Sequence, residues 1–244
     1  MQTARTPFQE QLYQAAKKAV ERDGDGTDLV ALVQHPEFSW NERLWRNGDG
    51  ATTLMQHIYT YQKWSEVDLV RQLLELGADI REMDTPGSPL WHKTLSCPAK
   101  LALYLDRGVD VNEAFLTING NRYAKPLAKA ATGNSTPGAD NAACIRLLVA
   151  YGARIDDQDD GLKTALHHAV DRAQFPLAAT LLECGASVLP LDTRGRSALD
   201  LLRERHSKHA GFAQMEGLLE SQAQNSEMQR STPTIATRRA GSRL

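Results

Sequence analysis

The sequence is poor in the features that mark a catalyst, a metal protein or a membrane protein. Its three cysteines, Cys97, Cys144 and Cys184, are an odd number, lie far apart and form no C-x-x-C pair. That excludes a disulfide framework or a thiolate zinc site as the organising element. No stretch approaches the roughly 18 consecutive apolar residues of a membrane-spanning helix, and the first twenty residues lack the apolar run of a signal peptide, so the expected location is the cytoplasm. Neither sign of charge dominates. Twenty-eight basic against thirty acidic side chains leave a net charge of −2 over 244 residues, which supplies no diffuse attraction to nucleic acid or to anionic lipid. No nucleophile or metal-ligand signature of the G-x-S-x-G or H-E-x-x-H kind occurs. "DDQDD" (156–160) lacks the alternating ligands, central glycine and distal glutamate of a calcium loop, and "NGDGATT" (47–53) lacks the Lys-Ser/Thr of a phosphate loop.

What is present is a repeat. "GATTLMQHI" (50–58), "GSPLWHK" (87–93), "AKPLAKAA" (124–131), "LKTALHHAV" (162–170) and "GRSALDLL" (195–202) align on Leu54, Leu90, Leu127, Leu166 and Leu199. Their spacings of 36, 37, 39 and 33 residues are those of a helical repeat. A second landmark follows in turn as "LLELGADI" (73–80), "LYLDRGVDV" (103–111), "LLVAYGARI" (147–155) and "LLECGASV" (181–188). The alternation predicts pairs of helices. Thr52, Ser88, Thr164 and Ser197 stand where a hydroxyl accepts from the free amides of a helix start. Gly77, Gly108, Gly152 and Gly185 stand where a left-handed residue ends a helix. Lys125 replaces the hydroxyl residue in the third copy, so that helix is expected to lack its cap. From helix start to glycine, the first copy (Thr52 to Gly77) and the third (Lys125 to Gly152) are longer than the fourth (Thr164 to Gly185). The two longer copies therefore hold insertions, and the turn-rich "TGNSTPGAD" is expected as an exposed loop.

These two steps resemble the ankyrin repeat, whose consensus carries Gly-x-Thr-Pro-Leu-His-x-Ala followed by Leu-Leu-x-x-Gly-Ala-Asp-Val. "TALHHA" with "LLECGAS" is the best copy. The resemblance covers about residues 46–220 and implies an all-α solenoid of about six helix-turn-helix units with short β-hairpin fingers. Upstream, residues 1–45 read as a degenerate capping unit, since Leu12, Ala15, Ala16 and Ala19, then Leu29, Leu32 and Val33, have helical spacing on either side of "DGDGT". A terminal unit with a polar outer face is what a solenoid requires. Residues 221–244 hold four arginines, one glutamate and almost no large apolar residue. They are expected to form a disordered basic tail.

The resemblance also implies function. His167 falls on the family's histidine, which bonds backbone between units. His168 points about 100° away from it, so the pair does not face one metal as an i, i+4 pair does. The expectation is a non-catalytic module without cofactor or metal, a monomer when free, that binds another protein and neither nucleic acid nor membrane. Stand-alone bacterial ankyrin proteins of this kind include immunity proteins that inhibit a toxin, and secreted effectors directed at a host. Partner-contacting positions carried over from the family are Asp49, Ala51, Tyr59 and Thr60; Leu95 and Ser96; Asp160, Lys163, Asp171 and Arg172; and Thr193, Arg194, Arg196 and Arg205. Asp157 and Asp159 join them as part of an acidic finger tip facing a basic partner. Trp91 joins them as an interface anchor, should it leave the inter-unit seam. The rival readings are a metal-dependent or enzymatic site at His167/His168 and nucleic-acid binding through the arginine-rich tail. Metal analysis separates the first rival: the purified chain is expected to carry no stoichiometric metal that His168→Ala removes.

Overall fold

The computed structural model describes residues 5–21, 24–47, 50–60, 66–85, 88–116, 123–133 and 139–231. Within them six helix pairs follow one another along the chain. These are α1 (Pro7–Ala19) with α2 (Thr27–Val33), α3 (Leu54–Thr60) with α4 (Val67–Glu75), and a 3-10 helix (Leu90–Thr94) with α5 (Pro98–Leu105). Then come α6 (Pro126–Ala131) with α7 (Asn141–Ala150), α8 (Ala165–Asp171) with α9 (Phe175–Glu183), and α10 (Ala198–His206) with α11 (Phe212–Ser231). The first helices of successive pairs pack in one row, α6 on α8 and α8 on α10, and the second helices in another, α2 on α4, α4 on α5, α5 on α7 and α7 on α9. Antiparallel hairpins lead into three of the pairs: β1 (Trp45–Asn47) with β2 (Gly50–Thr52), β3 (Met83–Thr85) with β4 (Ser88–Pro89), and β5 (Phe115–Leu116) with β6 (Tyr123–Ala124).

Most of these helices are too short to be stable alone, and several span only two turns. Stability comes from the apolar stripe each pair buries against its neighbours. Leu73, Leu101, Ile145, Leu148, Leu181, Leu201 and Leu202 are all fully enclosed in one continuous core. The four helix-ending glycines have positive φ, from 80° at Gly108 to 103° at Gly77, as their sequence positions imply. At the last pair, Arg203 reaches Glu216 at 2.7 Å and also pairs with Glu220, which lays ion pairs over the terminal face.

Two helix starts differ from expectation by one residue. In "TTLMQ" the cap is Thr53, not Thr52: Thr53 Oγ1 accepts from the Gln56 amide (3.3 Å) and the Gln56 side chain accepts from the Thr53 amide (3.1 Å). A capping box needs a polar side chain three residues on. Thr53 has Gln56 there, whereas Thr52 has Met55. Thr52 Oγ1 is left buried without a partner among the described residues. In the next unit Ser88 lies in β4, and the 3-10 helix starts after Pro89 with no side-chain cap. That helix stays short because Pro98 holds Cys97 in an extended conformation. Lys125 caps nothing, as expected; its ammonium reaches Asp157 instead (3.1 Å).

The slip relocates a histidine. Counted from the helix start, His92 and not Trp91 occupies the place of His167. Thr164 offers His167 a hydroxyl and an amide, but Pro89 offers His92 neither. Both ring nitrogens of His92 are buried without partners among the described residues, with the ring 3.6 Å from that of Phe115 and 4.2 Å from that of Trp91 between centroids.

The expected tail is corrected over its first part. α11 continues to Ser231, and Ala223 packs on the core. Residues 221–231 contain no Gly or Pro, and Ala, Gln, Glu, Met and Arg extend an anchored helix at little cost. Residues 232–244 lie outside the described residues, as does the centre of the "TGNSTPGAD" insertion.

Burial pushes His92 down to about 3 and His57 to about 4. An unfolded histidine takes up its proton near pH 6.5, well before either folded ring does. The stability of the neutral native state is therefore complete above about pH 6.5 and is lost as pH falls from there toward 3. His92→Leu is expected to stabilise the chain at pH 5 relative to pH 7 by about 2 kcal/mol more, measured by urea unfolding at both values. An unchanged difference between the two pH values would refute the assignment.

Candidate partner-binding face

The fingers and the first helix of each unit lie along one side, and the residues carried over from sequence separate there into structural and free groups. Asp159 organises the fourth finger. Its carboxylate accepts from the amides of Gly161 (2.8 Å) and Lys163 (2.9 Å) and from His168 Nε2 (2.7 Å), while its own amide donates to the Lys163 carbonyl (3.0 Å). Burial opposes the charged form, but the His168 bond and the two amides outweigh it and hold the carboxyl below its ordinary range.

Asp192, one repeat further on, makes the same arrangement with the amides of Arg194 and Arg196 and with the Arg196 guanidinium (2.8 and 3.1 Å). Burial again opposes its charge, and Arg196 above all keeps the carboxyl depressed. The fingers are tied to one another: Thr193 N–H donates to the Gly161 carbonyl (3.1 Å), Ser187 N–H to Asp156 (2.8 Å), and Arg154 N–H to Asn112 Oδ1 (2.9 Å).

His167 is fixed as a structural group. The Thr164 amide can only donate, to Nδ1 at 3.3 Å, and the Arg196 carbonyl can only accept, from Nε2 at 3.2 Å. The ring is therefore the neutral Nε2–H tautomer, and burial keeps it so. With His168 held on Asp159, neither histidine has a nitrogen turned to a common ligand. Among the described residues no three His, Cys, Asp or Glu side chains are placed to share a metal.

Three expected contact residues are corrected. Tyr59, Trp91 and Leu95 are buried, at 1%, 1% and 4% exposure. The one-residue slip at the first two helix starts turns each helix by about 100°. Tyr59 and Leu95 thereby fall on the position of the buried Val170 rather than on that of Asp171. The Tyr59 hydroxyl bonds that of Tyr104 (2.6 Å) across the seam to the next unit, and Trp91 packs in the seam. Asp49 and the Thr60 side chain lie outside the described residues.

Of the acidic tip, Asp157 is bound to Lys125 and Arg154, and Asp159 to His168. Asp160 is exposed and makes no ion pair among the described residues. Asp171 takes both Lys163 (2.8 Å) and Arg205, while Arg196 takes Asp192 and Glu204. Arg172 and Arg194 are exposed and make no ion pair among the described residues. The face that reads as mixed in sequence thus carries its acids mostly neutralised and some of its cations free. Sequence reasoning missed Asp192 and Asn112 as finger organisers. The recurrence of Asp159 as Asp192, one repeat apart, is the signal that points to the first of them.

Stacked helix pairs with linked fingers have a match among solved structures. The ankyrin-repeat protein EF0377 superposes with a TM-score of 0.63 at 20% identity, over 86% of this chain and 96% of that one. The chain has the ankyrin-repeat fold. Among curated proteins it is similar to the mouse B-cell lymphoma 3 protein homolog, 31% identical over 129 residues, which are 49% of this chain and 27% of the relative. It is also similar to the chicken nuclear factor NF-kappa-B p105 subunit, 26% identical over 148 residues, 60% of this chain and 14% of the relative. The match therefore spans a minor part of either relative. No protein-family model matches the chain. Among the described residues no helix is long and apolar enough to cross a membrane.

Asp159→Ala removes the acceptor for two amides and an imidazole and is expected to cost about 1–3 kcal/mol in urea unfolding. Asp160→Ala is expected to stay within about 0.5 kcal/mol.

Proposed function

We propose that the chain is a non-catalytic binding module that holds another protein against its fingers and first helices. The observation that carries this reading is the division of that side into engaged and unengaged charges. Asp157, Asp159, Asp171 and Asp192 are engaged within the chain, whereas Asp160, Arg172 and Arg194 are exposed without ion pairs among the described residues. A rigid face with unengaged charges of both signs fits a protein surface that carries their counterparts, and such complementarity governs orientation and association rate. The finer role we put forward is inhibition of a toxic enzyme, as an immunity protein acting in the cytoplasm. It rests on the resemblance of these divergent repeats to those of bacterial ankyrin immunity proteins.

Capture from the native lysate with the tagged chain is expected to recover one stoichiometric protein. The double variant Arg172→Glu/Arg194→Glu is expected to weaken its binding about tenfold. Equal binding by wild type and variant would remove the charged face from the contact, and a toxin-like neighbouring gene product that does not bind would remove the finer role.

A further inference from the structure

The cysteines are scattered in sequence, but the fold brings two of them to one carbonyl. Cys97 is the N-cap residue of α5, and its thiol makes no cap bond. Cys144 lies in the first turn of α7. Three successive carbonyls bind that turn. Ser96 accepts from the Asp140 amide (2.9 Å), Leu95 from the Asn141 side chain (3.3 Å) and Thr94 from the Cys144 thiol (3.9 Å). The Thr94 carbonyl also accepts from the Cys97 amide (2.8 Å). The third and fourth units thus each place a cysteine against the same oxygen. Their surroundings differ: Cys144 is fully buried and Cys97 only partly. Burial, and after it charge on Cys97, push the Cys144 thiol up to about 12. Burial pulls the Lys100 ammonium down, and charge on Cys97 opposes it. Cys97 is therefore within electrostatic reach of both groups.

A partly accessible thiol at a helix start beside an ammonium is the kind that oxidants attack, whereas a protonated thiol closed off from solvent is not. We propose that Cys97 and Cys144 are a redox-modification site, in which hydrogen peroxide joins the two residues by a disulfide that staples the third unit to the fourth. Cys97, as the thiolate, attacks one peroxide oxygen. The O–O bond breaks, leaving Cys97 sulfenic acid and a hydroxide that takes a proton from solvent to become water. The Cys144 sulfur then attacks the Cys97 sulfur. The S–S bond forms, the S–O bond breaks, and the Cys144 proton leaves with the hydroxide as a second water. Two electrons pass from the two sulfurs to the peroxide. The link falls just after the 3-10 helix that lacks a side-chain cap, and a cross-link there restricts the unfolded chain. This site is independent of the partner-binding role proposed above.

The test uses the full chain, folded and reduced. It is exposed to hydrogen peroxide, alkylated and digested without reductant, and the peptides are identified by mass spectrometry, with circular dichroism recorded before and after oxidation to show that the chain stays folded. Wild type and Cys184→Ser are expected to give one intramolecular link, between the peptides that hold Cys97 and Cys144. Cys144→Ala is expected to stop at Cys97 sulfenic acid, which a 1,3-dicarbonyl reagent traps. Cys97→Ser is expected to form no link and to keep Cys144 as a free thiol. The linked wild type is expected to unfold at a higher urea concentration than the reduced chain and to return to the reduced value with dithiothreitol. No link in wild type, a link through Cys184, or Cys97 oxidised past the sulfenic acid while Cys144 stays free overturns the pair. An unchanged or lower urea midpoint for the linked chain overturns the staple.

Discussion

Every element here depends on one shortage: a pair of short helices has too little apolar surface to hide by itself. A two-turn helix such as α8 closes few hydrogen bonds and cannot repay its own nucleation. It persists because Leu166, Ala169 and Val170 are covered by the units on either side. Stacking is therefore the fold's source of cohesion. In the last pair, Arg203 of α10 adds ion pairs to Glu216 and Glu220 of α11.

The same constraint explains why most polar side chains along the fingers are occupied. A turn that must repeat at each junction needs its amides satisfied at each junction, and Asp159 and Asp192 do this with a single carboxylate apiece. Histidine follows suit. His167 links its own helix start to the Arg196 carbonyl of the next finger, so its chemistry is exhausted by backbone. What remains for recognition is the set of side chains that the turns do not use, among them Asp160, Arg172 and Arg194.

Much of this was legible in the residues. The leucine and glycine landmarks locate the helix pairs from residue 50 onward, and the four glycines predict their own left-handed geometry. The best copies, around Leu166 and Leu199, also predict the capping hydroxyls of Thr164 and Ser197. Legibility failed in the first two full units because aligning on leucine assumes that the helix begins at a fixed distance from it. Two threonines in succession left that choice to Gln56, and Pro89 left the next helix without a hydroxyl at all. A one-residue error is enough to exchange inside for outside, which is why Tyr59 and Leu95 read as surface residues. The C-terminal boundary failed differently: a count of apolar residues measures burial, and α11 beyond residue 220 is extended by intrinsic propensity from an anchored start.

The unit built on the 3-10 helix has a mechanical consequence. In a stack whose blocks touch only their immediate neighbours, cohesion is local, and rupture begins wherever one junction is poorest. Residues 89–97 combine an uncapped start, a tight helix with inferior hydrogen-bond geometry and an imidazole enclosed without a partner among the described residues. Under denaturant or load, such a stack parts at an interior joint and yields two shorter blocks, each exposing a fresh oily flank, instead of peeling inward from its ends.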